Sequence, residues 1–301
     1  MWGWDHNRGQ TRKDTTQTES QARLALSYMD GNGVAKDHSQ ALKLARLPAN
    51  QGNAIAQYVL GCCYAEGKVI DNDEREAIKW LRLSAEQDFV PAQASLGRCY
   101  FYMNGVKDYQ EAVRWYRKAA QNGYSSAQCD LGTCYFFGTG VQQNYKNAVF
   151  WCRKAANKGD AIAQYYLGTC YAKGQGIPQN YKEAVGWYRK AAEQGDADAQ
   201  WRLGRCYDEG NGVASDFAES MRWYRRASEQ GDTRSQFSLG ASYFKGSGVP
   251  RNYVEAYKWW NIAAAKTGEL GATDASENRD FLLTVMTKDQ IAEARTGVQR
   301  L

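Results

Sequence analysis

The sequence predicts an all-α solenoid of about seven antiparallel helical hairpins, 36 residues each, and three observations predict it. The dipeptide Leu-Gly begins at Leu60, Leu96, Leu131, Leu167, Leu203 and Leu239, in steps of 36, 35, 36, 36 and 36. A tyrosine stands three residues after each glycine, from Tyr64 through Tyr100, Tyr135, Tyr171 and Tyr207 to Tyr243. A tryptophan recurs in the same register at Trp80, Trp115, Trp151, Trp187, Trp223 and Trp259. Self-similarity at such a period marks hairpins that cannot bury their apolar faces alone and must stack.

The elements follow in chain order. Residues 1–19 are polar and unpatterned and are expected to form a disordered arm carrying Trp2 and Trp4. Leu24 and Tyr28 open the first of seven repeats, in which Leu44 stands in for the tryptophan. Pro48 replaces a second-helix alanine there, so that helix is expected to end early. The repeat array is expected over residues 20–268. Within one repeat, Ala163, Leu167, Gly168 and Tyr171 lie at offsets 0, 4, 5 and 8, a helical stripe that defines a first helix. Ala184, Trp187 and Ala191 define the second, with Arg189 and Lys190 on its solvent side. Gly174 and Gly176 separate the two helices, and Gly195-Asp196 ends the repeat. The third repeat is one residue short in the loop 104–108, and the second has Gly67-Lys68-Val69 where two glycines are usual. Residues 269–301 are expected to form C-terminal capping helices. Thr287 and Gln290 have capping-box spacing, which opens a last helix from Lys288 to about Val298.

Composition narrows the function classes. The net charge of +5 is spread as mixed Lys, Arg, Asp and Glu without a block of like charge, which argues against nucleic acid. No apolar run is long enough to span a membrane, and the first twenty residues lack a signal-peptide core, so a cytoplasmic protein without membrane insertion is expected. His6 and His38 are the only histidines, which leaves no triad and no histidine-based metal site. No enzyme, metal or cofactor is therefore expected. Ser242-Tyr243-Phe244-Lys245 matches S-x-x-K, but its companion motifs are missing and five other repeats have cysteine at the Ser242 position. Loops such as Gly210–Val213 follow helices and read as turns, not phosphate cradles. Cys63, Cys99, Cys134, Cys170 and Cys206 share one repeat position, a whole helix pair apart, and are expected to be free thiols that pack as small apolar groups. Cys62, Cys129 and Cys152 complete the set.

The pattern A-Q-x-x-L-G-x-x-Y-x-x-G-x-G-V, followed by N-Y-x-x-A-x-x-W-Y-x-K-A-A-x-x-G-D, is met almost completely by residues 163–196. It resembles the Sel-one-like repeat, a relative of the tetratricopeptide repeat. The resemblance implies a right-handed superhelix and an adaptor or scaffold role, with the first helices lining its concave side. Some secreted cysteine-rich relatives are linked to β-lactam binding, which gives β-lactam or cell-wall-fragment binding or hydrolysis as an alternative. Their paired cysteine placement is missing here.

On the first helix, offsets 2, 6 and 9 project at about 180 to 240° from the core stripe. That face reads Tyr58, Tyr165, Trp201 and Phe237 at offset 2, Arg98 and Arg205 at offset 6, and Phe101, Phe136 and Phe244 at offset 9. Aromatic and arginine clusters are the usual anchors of protein recognition, so these nine residues are the expected partner-binding groove for a protein or peptide ligand. A single-stranded nucleic-acid groove would use the same residue types. Close packing of the rings against neighbouring helices is the competing reading.

Overall fold

The computed structural model describes residues 5–266 and 268–298, and the side chains of residues 16–266 and 268–296; among the described residues it holds sixteen helices and no strand. The first helices of the repeats are α1 (Asp5–Asp30), α3 (Ala54–Glu66), α5 (Val90–Tyr102), α7 (Ser125–Phe137), α9 (Ala161–Lys173), α11 (Ala197–Glu209) and α13 (Thr233–Lys245). The second helices are α2 (His38–Asn50), α4 (Glu74–Ala85), α6 (Tyr109–Gln121), α8 (Tyr145–Ala156), α10 (Tyr181–Glu193), α12 (Phe217–Glu229) and α14 (Tyr253–Ala264). After them come α15 (Ala272–Val285) and α16 (Lys288–Val298). The chain forms two compact units, residues 1–151 and 152–301.

Polar caps set the helix starts. Asn53, Asp160, Asp196 and Asp232 accept the backbone N–H three residues on, and Asp37, Asp73, Asp108, Asn180, Asp216 and Asn252 cap the second helices in the same way. First helices other than α5, which ends at Met103 in an extended conformation, stop at glycines in the left-handed region, Gly174 with φ 67° and Gly210 with φ 70° among them, where a side chain would be strained. The reciprocal capping box forms as its spacing predicts. Thr287 N donates to Gln290 Oε1 at 3.0 Å, and Gln290 N donates to Thr287 Oγ1 at 3.3 Å.

Two expectations are corrected. Helix α1 begins at Asp5, so residues 5–19 are helical and the expected arm boundary falls inside a helix. The segment holds no proline, and its later part is tied down: Thr18 Oγ1 donates to Gln51 Oε1 at 2.8 Å, and Glu19 Oε2 accepts from Asn53 Nδ2 at 2.8 Å. Trp2 and Trp4 lie outside the described residues. Helix α2 runs through Pro48 to Asn50. Pro48 stands in the last turn, where it removes one N–H while its own carbonyl still accepts from Gln51 N and Asn53 N at 3.2 and 3.0 Å.

Small residues let the helices of a hairpin approach. Ala163, Ala184, Ala191 and Ala199 are all fully buried. At Gly168 a Cβ would stand 2.8 Å from Tyr188 Cδ1, and at Gly204 it would stand 2.7 Å from Tyr224 Cδ1. At Gly97, Gly168, Gly204 and Gly240 the Leu-Gly glycine is therefore the place where an aromatic ring of the second helix rests directly on first-helix backbone, while at Gly61 the side chain in that place is Leu81.

Two hydrogen-bond ladders join repeat to repeat. The buried glutamines Gln57, Gln93, Gln128, Gln164, Gln200 and Gln236 each donate to a carbonyl at the end of the preceding second helix, as Gln200 does to Ala192 O at 3.1 Å. Their own carbonyls accept from a later glutamine where one is present: Gln87 on Gln57 at 2.7 Å, Gln194 on Gln164 at 2.7 Å, Gln230 on Gln200 at 2.9 Å. On the outer side, second-helix arginines donate to first-helix tyrosine hydroxyls of the next repeat, Arg117 to Tyr135 at 3.1 Å and Arg189 to Tyr207 at 2.6 Å.

Candidate functional site

The nine expected groove residues separate into two groups. The offset-9 rings turn into the hairpin: Phe101 meets Tyr109 at 4.9 Å, Phe136 meets Tyr145 at 5.5 Å, and Phe244 meets Tyr253 at 5.6 Å. In each case the partner is the tyrosine that opens the second helix of the same repeat, and Phe136 is 9% exposed. These three are packing residues. At offset 2, Tyr58 rests on Phe89 at 5.3 Å, Tyr165 on Tyr188 at 6.1 Å, and Phe237 on Trp260 at 6.3 Å, all half-buried. Trp201 differs, because its ring is met by three guanidinium groups: Arg234 at 4.4 Å, Arg202 at 4.6 Å and Arg205 at 5.4 Å.

The open side of the first helices is found one position on. All six residues at offset 10, Glu66, Tyr102, Phe137, Lys173, Glu209 and Lys245, are exposed. Together with offsets 3 and 6 they form an i, i+3, i+7 stripe centred roughly 70° round the helix from the expected face.

In the first unit this stripe is aromatic. Tyr102 is 66% exposed and Phe137 is 58% exposed, on the adjacent first helices α5 and α7. With Thr133 and Asp130 they border a small cleft of about 40 Å³. Arg98, expected at offset 6, is exposed beside it and donates from Nε to Asp130 Oδ2 at 3.2 Å. Successive first helices touch one another in this unit, α1 with α3 and α3 with α5.

In the second unit the stripe is polar around Trp201. Arg205 donates from Nε to Glu209 Oε1 at 2.9 Å, and Arg234 bridges Asp232 and Asp198, the latter at 2.5 Å. Arg202 Nε is buried without a hydrogen-bond partner among the described residues. A larger cleft, about 440 Å³, lies beyond Arg234 between the starts of α11 and α13 and is bordered by Asp198, Thr233, Glu269 and Leu270. Of the expected groove, the structure therefore leaves Arg98 and Arg205 on the open side, with Trp201 half-buried beneath its arginines at the edge of it. Tyr102, Phe137, Arg202 and Arg234 join them, and a one-residue shift of the helical wheel would have found the first two.

The other sequence candidates resolve into packing. Ser242 is buried and donates from Oγ to Ser238 O at 3.0 Å, within α13. His38 is the first residue of α2, and its Nδ1 stands 3.8 Å from Glu66 Oε2. The cysteines at the shared position are buried, and burial pushes the thiols of Cys63 and Cys206 up to about 11 and those of Cys99, Cys134 and Cys170 up to about 12. Protonated at neutral pH, they serve as small apolar side chains. No helix among the described residues is long and apolar enough to cross a membrane.

Stacked hairpins with buried glycine-aromatic seams and one open stripe on the first helices define an α-solenoid of the repeat-scaffold type. The Sel1 repeat model matches seven times, over residues 18–53, 54–89, 90–124, 125–160, 161–196, 197–232 and 233–267, so the chain belongs to the Sel1 repeat family. It is similar to a solved Sel1 repeat protein from Oxalobacter formigenes at 31% identity, covering 83% of this chain and 99% of that one, with a TM-score of 0.72. Another solved structure, the protective antigen c5321 of uropathogenic Escherichia coli, is 28% identical and covers 95% of this chain and 84% of that one, with a TM-score of 0.39. Comparison with curated proteins gives no match.

Proposed function

We propose that the chain is a non-catalytic scaffold that holds a partner protein or peptide on the open stripe of its first helices. The observation that carries this reading is the exposure of Tyr102 and Phe137, large rings on neighbouring first helices of a repeat stack, with Arg98 alongside. Such rings bury large rigid areas on contact and lose little side-chain entropy. Because the hairpins are already locked by the glycine seams and glutamine ladders, the receptor surface needs little ordering when a partner arrives. In the second unit Arg205 stands at the corresponding offset of α11, with Trp201 beside it.

Affinity capture with the wild type and with Trp201→Ala/Arg205→Ala tests the reading. The double variant, with circular dichroism and urea midpoint showing an intact fold, is expected to lose specific partners by about ten-fold or more, in line with the loss of a central aromatic-arginine anchor. Undiminished capture by a folded double variant overturns it.

A further inference from the structure

Charge is divided unequally between the two kinds of helix. The second helices α6, α8, α10 and α12 hold twelve Lys and Arg against five Glu, while the first helices α5, α7, α9 and α11 hold four Lys and Arg against four Asp and Glu. The excess sits at one place in the repeat. In the second unit, Arg153-Lys154, Arg189-Lys190 and Arg225-Arg226 are exposed on three successive second helices.

These cations are held, not loose. Arg153, Arg189 and Arg225 each donate one N–H to a tyrosine hydroxyl of the next first helix, at 2.9, 2.6 and 3.2 Å. Each guanidinium keeps its remaining donors for another acceptor. Lys190 lies 4.1 Å over Trp187, and Arg226 lies 4.7 Å over Trp223. Arg189, Lys190, Arg225 and Arg226 form no ion pair among the described residues, although Glu193 and Glu229 stand exposed one turn further along the same helices. Like charges placed in rows repel one another, and an anion laid along the row relieves that repulsion.

We infer that this row is a second docking surface, separate from the open stripe, and that it takes an acidic polypeptide segment of a partner. Planar guanidinium groups with free donors match carboxylates two bonds at a time, and one cation pair per repeat suits a segment with carboxylates spread along it. On α10 and α12 the tryptophans next to the row are covered by their own cations, and Trp223 is buried, so on these two helices single-stranded nucleic acid would find no open stacking platform at the row. The outward position one turn before the row is the exposed Phe150 on α8, Gly186 on α10 and Arg222 on α12, so a single ring accompanies the charge and not the continuous apolar face that membrane attachment requires.

The test is fluorescence anisotropy of the full chain with a labelled twelve-residue Glu/Asp peptide. A Lys peptide of the same length, a single-stranded oligonucleotide and anionic phosphatidylserine vesicles run in parallel. The acidic peptide is expected to bind and the Lys peptide to fail, with affinity falling at least about ten-fold as salt rises from low to several hundred millimolar. Lys190→Gln/Arg226→Gln should weaken binding by a similar factor, while Lys190→Arg, which keeps the charge, should not. Urea midpoints of the variants confirm that they are folded. No binding of the acidic peptide, equal binding of the Lys peptide, or unchanged binding by the folded double variant overturns the inference. Tighter binding of the oligonucleotide or the vesicles than of the peptide overturns the assignment to a polypeptide.

Discussion

Gly204→Ala is expected to destabilise the folded chain by about 2 kcal/mol, the usual scale for forcing a methyl group into a filled core. Its Cβ would come within 2.7 Å of both Cδ1 and Cε1 of Tyr224 and 3.2 Å of the Ser220 carbonyl oxygen. Tyr224 is 2% exposed, so the ring has nowhere to swing. Gly186→Ala is the opposite case. Gly186 is exposed within α10 and nothing lies within 4 Å of the position of its Cβ. Alanine there should stabilise the chain by about 0.5–1 kcal/mol through helix propensity alone. Urea midpoints of the two variants should move in opposite directions. Equal shifts of the same sign would show that the Leu-Gly glycine is a matter of backbone propensity and that no aromatic ring rests on it.

The glutamine ladder gives the second pair of expected results. Gln200→Leu keeps the volume but removes the donor to Ala192 O and the acceptor of Gln230 Nε2. A destabilisation of about 1–2 kcal/mol is expected, the scale of a buried polar group left without its partner. The same logic predicts a gain at a defect in the ladder. Gln93 Oε1 is buried without a partner, and the residue placed to serve it is Asn122, whose shorter side chain donates only to Lys118 O at 3.2 Å. Asn122→Gln supplies the missing methylene and should raise stability by about 1 kcal/mol. Thermal or urea unfolding of both variants checks the pair, and a neutral or destabilising Asn122→Gln would mean that the Gln93 carbonyl is satisfied in solution.

Most of the fold is legible in the sequence because stacking is one-dimensional: each Leu-Gly, tyrosine and tryptophan repeats its environment every 36 residues or so. The ends are less legible, because residues 5–19 lack the repeat pattern yet continue a helix anchored from Thr18 and Glu19 onward. The candidate face was half visible. Composition marks Trp201 and Arg205, but offsets 9 and 10, at about 180° and 280°, lie on either side of the point opposite the core stripe, and periodicity alone does not say which of them is covered; the tyrosine opening the second helix draws the offset-9 ring inward. The glutamines were visible in the A-Q dipeptide of the second to sixth repeats and in Ser235-Gln236 of the seventh; their role needs the helix end that lies eight residues earlier. The basic row escapes a search for runs of like charge because its members come two at a time, one repeat apart.

Which side of the first helices meets a partner is read directly by site-directed photo-crosslinking. A benzophenone amino acid placed in turn at Tyr102, Phe137 and Leu47 gives two exposed positions on the open stripe of the first unit and one exposed position on a second helix of it. Crosslinks to one and the same partner from Tyr102 and Phe137, with none from Leu47, are the expected result. Crosslinking from Leu47 alone, or equally from all three, would contradict it.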